Sequence, residues 1–241
     1  MNTLETATIG DIVKKNYKTA SVFEKFGLDF CCNGNRSIED SCRDQQIDPE
    51  EVMEALRQVQ EAGDDGVNFD SWPLQELVDY IIKRHHAYVE EKVPQLTAYL
   101  DKITRVHGNR HPELAEVRNI FYEVGGELTV HLKKEELMLF PFIKRLEQAK
   151  ATGTKAESPV FSSVKAPVHM MMDDHADEGA KLQRIAALTN HYQVPDDACN
   201  TYMVTYRLLD EFERDLHIHI HLENNILFPK AIRIEEELRN N

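Results

Sequence analysis

Two segments of the sequence repeat one pattern of side chains that can bind a metal. His131 and Glu135 are four residues apart, and His219 and Glu223 have the same spacing. Both segments end in Leu-Phe-Pro at the same offset. Residues four apart share one face of a helix, so an imidazole and a carboxylate can reach one point in space. We interpret the two segments as halves of one metal site.

Another histidine precedes each copy at nearly the same distance. His86 lies 45 residues before His131, and His175 lies 44 residues before His219. This repeat predicts a duplicated helical hairpin that supplies two imidazoles and one carboxylate per copy. All six side chains take positions where the helical pattern calls for an apolar residue, and a buried carboxylate without a partner is costly. The side chains predicted to converge in the core are His86, His131, Glu135, His175, His219 and Glu223.

Four imidazoles and two carboxylates are enough for a pair of metal ions. The two glutamates would bridge the ions, and two imidazoles would complete the protein ligands of each ion. Nitrogen and oxygen donors suit iron or manganese, and a site without thiolates is unlike a structural zinc site. Ferritin-like bundles use Glu-x-x-His, which this sequence lacks. The order His-x-x-x-Glu indicates chemistry of the hemerythrin kind.

Four long helical patterns carry these residues, with apolar side chains at alternating three- and four-residue steps. The stripes are Val78, Ile82, His86, Val89, Val93, Leu96, Leu100 and Ile103; Leu114, Val117, Phe121, Val124, Leu128, His131, Glu135, Met138 and Phe142; Val168, Met171, His175, Glu178, Leu182 and Ile185; and Tyr202, Tyr206, Leu209, Phe212, Leu216, His219, Glu223 and Ile226. Residues 151–159 are a loop by composition, and no strand is predicted. We expect an all-α fold, an up-and-down four-helix bundle, with Gly125-Gly126 at a kink or a close helix contact.

A small helical unit is predicted before the bundle, at residues 1–60. Thr8, Ser37 and Asp48 are in positions typical of helix starts. Residues 61–71 are polar and rich in Gly and Asp, which indicates a linker to a bundle domain at 72–241.

The small unit contains the turn Asp29-Phe30-Cys31-Cys32-Asn33-Gly34, identified by its Asn and Gly content. Two cysteines in a turn between short helices are expected to be exposed and reactive. Ordinary thiols that fill the turn are the alternative. Cys42 and Cys199 are interpreted as buried or incidental.

Composition argues against several classes of function. The formal net charge of -14 argues against binding to nucleic acid or to an anionic membrane. The apolar runs are too short to cross a bilayer, and the N-terminus lacks the pattern of a signal peptide. The four cysteines are more typical of thiols than of a disulfide framework. We expect a cytoplasmic protein.

The residues from about 72 onward resemble the hemerythrin-like, His-His-Glu cation-binding domain. The turn at 29–34 resembles the motif of the small domain that precedes it in the RIC family, the di-iron iron–sulfur cluster repair proteins. Together the two resemblances cover nearly the whole chain. The usual Cys-Cys-Gly-Gly of the family reads Cys-Cys-Asn-Gly here, and Asn33 tolerates a left-handed turn better than most residues.

The resemblance implies a non-haem di-iron centre with an oxo or hydroxo bridge and an open position for NO or O2. The implied imidazole ligands are His86, His131, His175 and His219, and the implied bridging carboxylates are Glu135 and Glu223. It also implies a cytoplasmic homodimer that restores iron–sulfur clusters of other proteins after damage by nitric oxide or peroxide. Cys31 and Cys32 would serve in redox exchange or in iron handling.

Two other functions stay open at this point: a di-iron reductase of nitric oxide or peroxide, and a non-catalytic sensor or carrier of O2 or NO. Steady-state turnover with an electron donor would favour the reductase. A carrier would not need the two cysteines.

Neighbouring histidines compete for the ligand positions. His85 adjoins His86, but only His86 lies on the apolar stripe. His217 and His221 flank His219, and we expect them at the surface or hydrogen bonded to ligands. Glu136 and Glu178 are interpreted as solvated or outer groups rather than as spare ligands or channel carboxylates. The run Met170-Met171-Met172 is assigned to the core rather than to a soft-metal site. The remaining histidines are interpreted as solvated groups near helix ends: His107, His111, His169 and His191.

Overall fold

The structure is a computed structural model, and it describes residues 7–61, 67–154, 156 and 162–240. These residues fall into two compact units. The first lies within Met1–Val78, Ile143–Glu157 and His217–Asn241, and the second lies within Asp79–Phe142 and Ser158–Leu216. Residues 62–66 of the predicted linker, and residues 155 and 157–159 of the predicted loop, lie outside the described residues.

Helices account for most of the described chain. The α-helices are α1 (Ile9–Lys15), α2 (Ala20–Lys25), α3 (Ile38–Gln45), α4 (Pro49–Glu61), α5 (Leu74–Ile81), α6 (Ala87–His107), α7 (Glu113–Lys134), α8 (Phe140–Thr152), α9 (Lys165–Leu188), α10 (Asn200–Leu222) and α11 (Phe228–Asn240). Short 3₁₀ helices span Tyr17–Thr19 and Phe69–Ser71, and π-helices span Ile82–His86, Glu135–Leu139 and Glu223–Leu227. Within the described ranges the extended pairing is limited to one bridge, between Thr8 and Ser37. The predicted all-α class is confirmed.

The short helices of the first unit begin where the sequence predicts. The Thr8 side chain accepts a hydrogen bond from the Asp11 N–H at the start of α1, and Ser37 does the same for Asp40 at the start of α3. Each of these caps satisfies one of the N–H groups that the first turn of a helix leaves without a partner. The caps therefore fix the chain on both sides of the cysteine turn.

Long helices dominate the second unit and pack as a bundle. Helix α7 packs against both α6 and α9. Phe212 of α10 lies against Tyr88 of α6 and Phe121 of α7, with ring centroids 6.3 and 5.5 Å apart. A Cβ added to Gly125 would lie 2.7 Å from a Val93 methyl carbon, whereas one added to Gly126 would meet open space. Of the two interpretations of the glycine pair, the structure supports the close helix contact.

Each π-helix includes one of the candidate ligands at its first or last residue. The wider turn is visible in the backbone, where the Phe140 N–H donates to the Glu135 carbonyl and the Phe228 N–H donates to the Glu223 carbonyl. The extra residue shifts the helix register, so Met138 is 37% exposed and Leu139 is 2% exposed. The prediction of Met138 in the core was therefore wrong by one residue. Single π turns inside α-helices are frequent at functional sites.

Candidate metal centre

Glu135 lies between two histidines of the second unit, His86 and His131. Its side chain is fully buried, with one carboxylate oxygen 3.4 Å from His86 Nε2 and the other 3.4 Å from His131 Nε2. The two oxygens thus face two different imidazoles. A carboxylate placed in this way can give one oxygen to each of two metal ions.

His175 completes this group from α9. Its Nε2 lies 3.1 Å from His131 Nε2. The ligand atoms of His131, Glu135 and His175 all lie within 4.8 Å of one another. Buried imidazole nitrogens and carboxylate oxygens that converge in this way are the donors that iron accepts in proteins. The donor set in the second unit therefore fits an iron centre.

Carboxylates outside this group hold two of the imidazoles. His86 Nδ1 is 2.9 Å from Glu136, and His131 Nδ1 is 3.4 Å from Asp174. A hydrogen bond from Nδ1–H to a carboxylate leaves Nε2 as the electron-pair donor, which is the arrangement seen around metal-bound histidines. Burial opposes ionisation of Glu136, but His86 and Lys133 lower the pKa of its carboxyl overall. Glu136 is thus an outer group, one of the roles predicted for it.

The first unit contains the other His-x-x-x-Glu pair. His219 Nε2 is 3.0 Å from the Glu223 carboxylate, and both side chains are buried. The imidazole meets the carboxylate through Nε2, as it does between His131 and Glu135. The two copies of the sequence pattern therefore share one local geometry.

The competing histidines have other partners. His85 is buried, and its Nδ1 lies 3.0 Å from Asp215. His221 is also buried, with its ring 5.7 Å from that of Phe30 and its Nδ1 hydrogen bonded to Asn225. Burial lowers the pKa of His221 to about 4, so the ring is neutral at physiological pH. Of the two positions predicted for His221, the surface position is wrong, because its ring is buried against the aromatic side chain of the cysteine turn.

Glu178 is the one carboxylate on the apolar stripes that is not among the six candidate ligands. Its side chain is 2% exposed, and neither oxygen has a hydrogen-bond partner among the described residues. Burial raises the pKa of Glu178 to about 7, although His131 and His175 act in the opposite direction. The prediction of a solvated side chain was wrong. Glu178 also lines a pocket of about 350 Å³ together with Asp174, Asp177 and Lys134.

Cys31 and Cys32 lie in an ordered turn of the first unit. Cys31 is buried and Cys32 is half-buried, and neither forms a disulfide. The prediction of two exposed thiols is therefore wrong for Cys31. The reason is that residues 217–225 cover Phe30 and Cys31. These residues are distant in sequence, so the composition of the turn does not predict the contact. Cys42 is buried and Cys199 is exposed.

Two asparagines that the sequence interpretation passed over connect this turn to the segment after Glu223. The Asn225 amide donates to the Cys31 and Phe30 carbonyls at 3.1 and 3.4 Å, and the Asn224 amide donates to the Cys31 carbonyl at 3.4 Å. The repeat itself contained a signal for them. The first copy reads Glu-Glu-Leu from Glu135 and the second reads Glu-Asn-Asn from Glu223, so the copies differ at the two positions where the asparagines bind the turn.

Comparison with known proteins gives the class first. Residues 77–231 match the hemerythrin HHE cation binding domain. Residues 5–60 match a domain of unknown function, DUF542, also named ScdA_N. The second part of the chain is therefore a hemerythrin-type cation-binding domain.

Similar full-length proteins specify the family. The chain is 31% identical to the iron–sulfur cluster repair protein YtfE of Musicola paradisiaca, over 95% of this chain and 97% of that protein. It is 32% identical to YtfE of Yersinia pseudotuberculosis serotype O:1b, over 90% and 93%. It is 28% identical to the iron–sulfur cluster repair protein ScdA of Staphylococcus haemolyticus, over 92% and 96%. The chain belongs to the family of iron–sulfur cluster repair proteins.

Proposed function

We propose that this protein repairs iron–sulfur clusters damaged by nitrosative or oxidative stress, and that it does so with two non-haem iron ions. The ligands in this proposal are His86, His131, Glu135, His175, His219 and Glu223. Membership of the repair family supports the biological role. The observation that carries the di-iron part is the position of Glu135, whose two oxygens face two different imidazoles. The duplication of the His-x-x-x-Glu pattern supports an equivalent bridging role for Glu223.

The protein groups around the centre have definable tasks. The bound iron ions would supply redox chemistry and an open position for NO or O2. Glu136 and Asp174 orient the rings of His86 and His131 and keep each proton on Nδ1. Phe140 stacks on His86 with ring centroids 5.5 Å apart, which shields that side of the ring from water. Such outer groups tune metal affinity and solvent access.

The two cysteines are proposed to act in redox exchange or iron handling. Asn224 and Asn225 hold their turn next to the segment that begins at Glu223, which brings thiols to one of the proposed ligand segments. The four cysteines outside disulfides suit a reducing compartment, which supports the proposed cytoplasmic location. Of the described residues, none belong to a helix long and apolar enough to cross a membrane. The homodimer stays a prediction.

The repair activity can be tested with an iron–sulfur hydro-lyase inactivated by nitric oxide. Iron-loaded protein should restore its activity, and Glu135→Ala should fail to do so because the bridge is lost. Glu127→Gln is the matched control, since Glu127 pairs with Lys181 and touches no candidate ligand. Equal rescue by Glu135→Ala and wild type would contradict the proposal.

The same assay separates the thiols from the metal centre. A Cys31→Ala, Cys32→Ala double variant should keep its iron and lose rescue. Rescue at the wild-type level would contradict the thiol part alone. Catalytic consumption of NO with an electron donor, without rescue of the damaged enzyme, would favour the reductase instead.

A further inference from the structure

A second group of metal-binding atoms lies in the cysteine turn, outside the six-residue centre. The Asp29 carboxylate is 3.2 Å from Cys31 Sγ, and Cys31 Sγ is 3.7 Å from Cys32 Sγ. One ligand atom from each of these three residues lies within 4.8 Å of the others. Two thiols and a carboxylate therefore converge on a space the size of one ion.

The spacing of these atoms matches tetrahedral coordination. Two sulfurs bound at ~2.3 Å to a tetrahedral ion lie about 3.8 Å apart, and a sulfur and a carboxylate oxygen lie about 3.5 Å apart. The distances in the turn are 3.7 Å for the sulfur pair and 3.2 Å for sulfur and oxygen. The Cys32 sulfur and the Asp29 carboxylate lie within 4.8 Å of each other, so small shifts would let the two sulfurs and one oxygen bind one ion.

The backbone of the turn fixes Asp29 as an anion. Its Oδ1 accepts hydrogen bonds from the Cys31 and Cys32 N–H groups at 3.1 and 2.9 Å, and its Oδ2 accepts one from the Asn33 amide at 2.6 Å. Burial opposes ionisation, but the Cys32 N–H, the Cys31 thiol and Asn33 lower the pKa of the Asp29 carboxyl overall. A simple turn cap would explain the N–H bonds, but it gives no reason for both thiols to lie within 4.8 Å of the same carboxylate.

Without a cation the two thiols hinder each other's ionisation. The hydrogen bond to Cys32, followed by burial and by the charges of Cys32 and Asp29, raises the pKa of the Cys31 thiol well above its ordinary value. A divalent ion reverses this effect, because it stabilises both thiolates and displaces their protons. Binding of an ion therefore has to release protons from the thiols.

We propose that Asp29, Cys31 and Cys32 form a second metal site that takes one divalent ion of tetrahedral preference, Fe²⁺ or Zn²⁺. Three protein ligands leave the fourth position open, as in sites that exchange or react rather than sites that only support structure. Asp29 and Cys32 are half-buried, so an ion can enter and leave on their side. This site deepens the proposed function, since its use for iron in transit rests on cluster repair. Binding of the ion does not depend on that role.

The test uses the full-length, iron-loaded protein under reducing conditions and Co²⁺ as a probe. One equivalent of Co²⁺ should give thiolate-to-metal charge transfer and the visible bands of tetrahedral Co²⁺. Cys32→Ser should remove the charge-transfer band, and Asp29→Asn should weaken binding at least tenfold. Cys199→Ser is the matched control, because Cys199 is exposed and outside the turn, and it should change neither. Bands that persist in Cys32→Ser, or no bands in the wild type, would overturn the site.

A measurement on the wild type alone tests the site even if one of the variants fails to fold. X-ray absorption of the iron-loaded wild type with one equivalent of Zn²⁺ should show two sulfur neighbours of zinc at ~2.3 Å. One sulfur neighbour or none would overturn the proposal. Iron content, measured on the same samples, should stay at the wild-type value in Cys32→Ser. Wild-type protein that gives the Co²⁺ bands but holds no iron would count against the di-iron proposal and leave this site standing.

Discussion

The hydrogen bond between His86 and Glu136 gives a quantitative test of how the candidate ligands are held. His86 Nδ1 lies 2.9 Å from the Glu136 carboxylate, which also pairs with Lys133 at 2.9 Å. Glu136→Gln keeps the shape and removes the charge that holds the imidazole proton on Nδ1. Loss of such an outer carboxylate typically reduces metal affinity by about 10- to 100-fold, which is about 1.4 to 2.7 kcal/mol.

The geometry also predicts a ranking between two variants. His131 Nδ1 lies 3.4 Å from Asp174, at the limit of a hydrogen bond. Asp174→Asn should therefore reduce iron affinity by less than about tenfold. Glu127→Gln, on the same helix as His131, should leave iron affinity unchanged. The assay is competition between each iron-loaded variant and a graded series of chelators, with iron counted after equilibration.

One outcome would refute this reasoning about His86. If Glu136→Gln retained iron as well as Glu127→Gln does, His86 would not be bound to metal through Nε2 with its proton on Nδ1. His85 would then become the candidate on this helix turn. A Glu136→Gln effect smaller than that of Asp174→Asn would contradict the argument from distance.

Three further predictions concern packing, pH and the cysteine turn. Gly126→Ala should stabilise the protein by ~0.5–1 kcal/mol, because its added Cβ meets open space. Gly125→Ala should destabilise it by ~1 kcal/mol or more, because the Cβ added at Gly125 meets Val93 of another helix. Urea unfolding measures both changes. Burial raises the pKa of Glu213 to about 7 from 4.5, so its stability contribution is complete below pH 4.5 and is lost as the pH rises through 7. At pH 8 the free energy of unfolding of Glu213→Gln, measured with urea, should exceed that of wild type by about 1–3 kcal/mol. At pH 4.5 the two free energies of unfolding should be equal. Asn225→Ala removes two hydrogen bonds to the turn. It should speed alkylation of Cys31 by about 5- to 30-fold, as a loss of ~1–2 kcal/mol implies.

Periodicity was sufficient to predict the helices and most of the core. Leu114, Val117, Phe121 and Leu128 are all buried on the face that the three- and four-residue steps defined. Such steps report one face of a regular helix, and most of α7 is regular. The same pattern placed the six candidate ligands in the core, and all six are buried.

The register after each candidate carboxylate could not be predicted. A π turn adds one residue to a helix turn, and nothing in the apolar pattern before Glu135 signals that insertion. The step from Glu135 to Met138 follows the α-helical rule, but the turn is wider, so Leu139 takes the buried position. Two copies of one segment with the same Phe-Pro ending were the available hint, because both copies contain the π turn.

The surroundings of the cysteines depend on contacts distant in sequence. Asn and Gly in a turn predict backbone conformation and say nothing of what covers it. Here His221 and Asn225 cover a turn that ends almost 200 residues earlier. Burial of Cys31 follows from that contact, and burial adds to the effect of the Cys32 hydrogen bond in raising the pKa of the Cys31 thiol. Without an observed partner, exposure was the expectation that a polar turn favours.

The central claim is that His86, His131, Glu135, His175, His219 and Glu223 hold two iron ions. The most direct measurement is elemental analysis of the protein as isolated, combined with its visible spectrum. A di-iron centre held by these side chains predicts two irons per chain and an oxo-to-iron charge-transfer band, with the iron labile to chelators in Glu135→Ala and in Glu223→Ala. Zinc in place of iron, or two irons retained by both variants after chelator challenge, would contradict it.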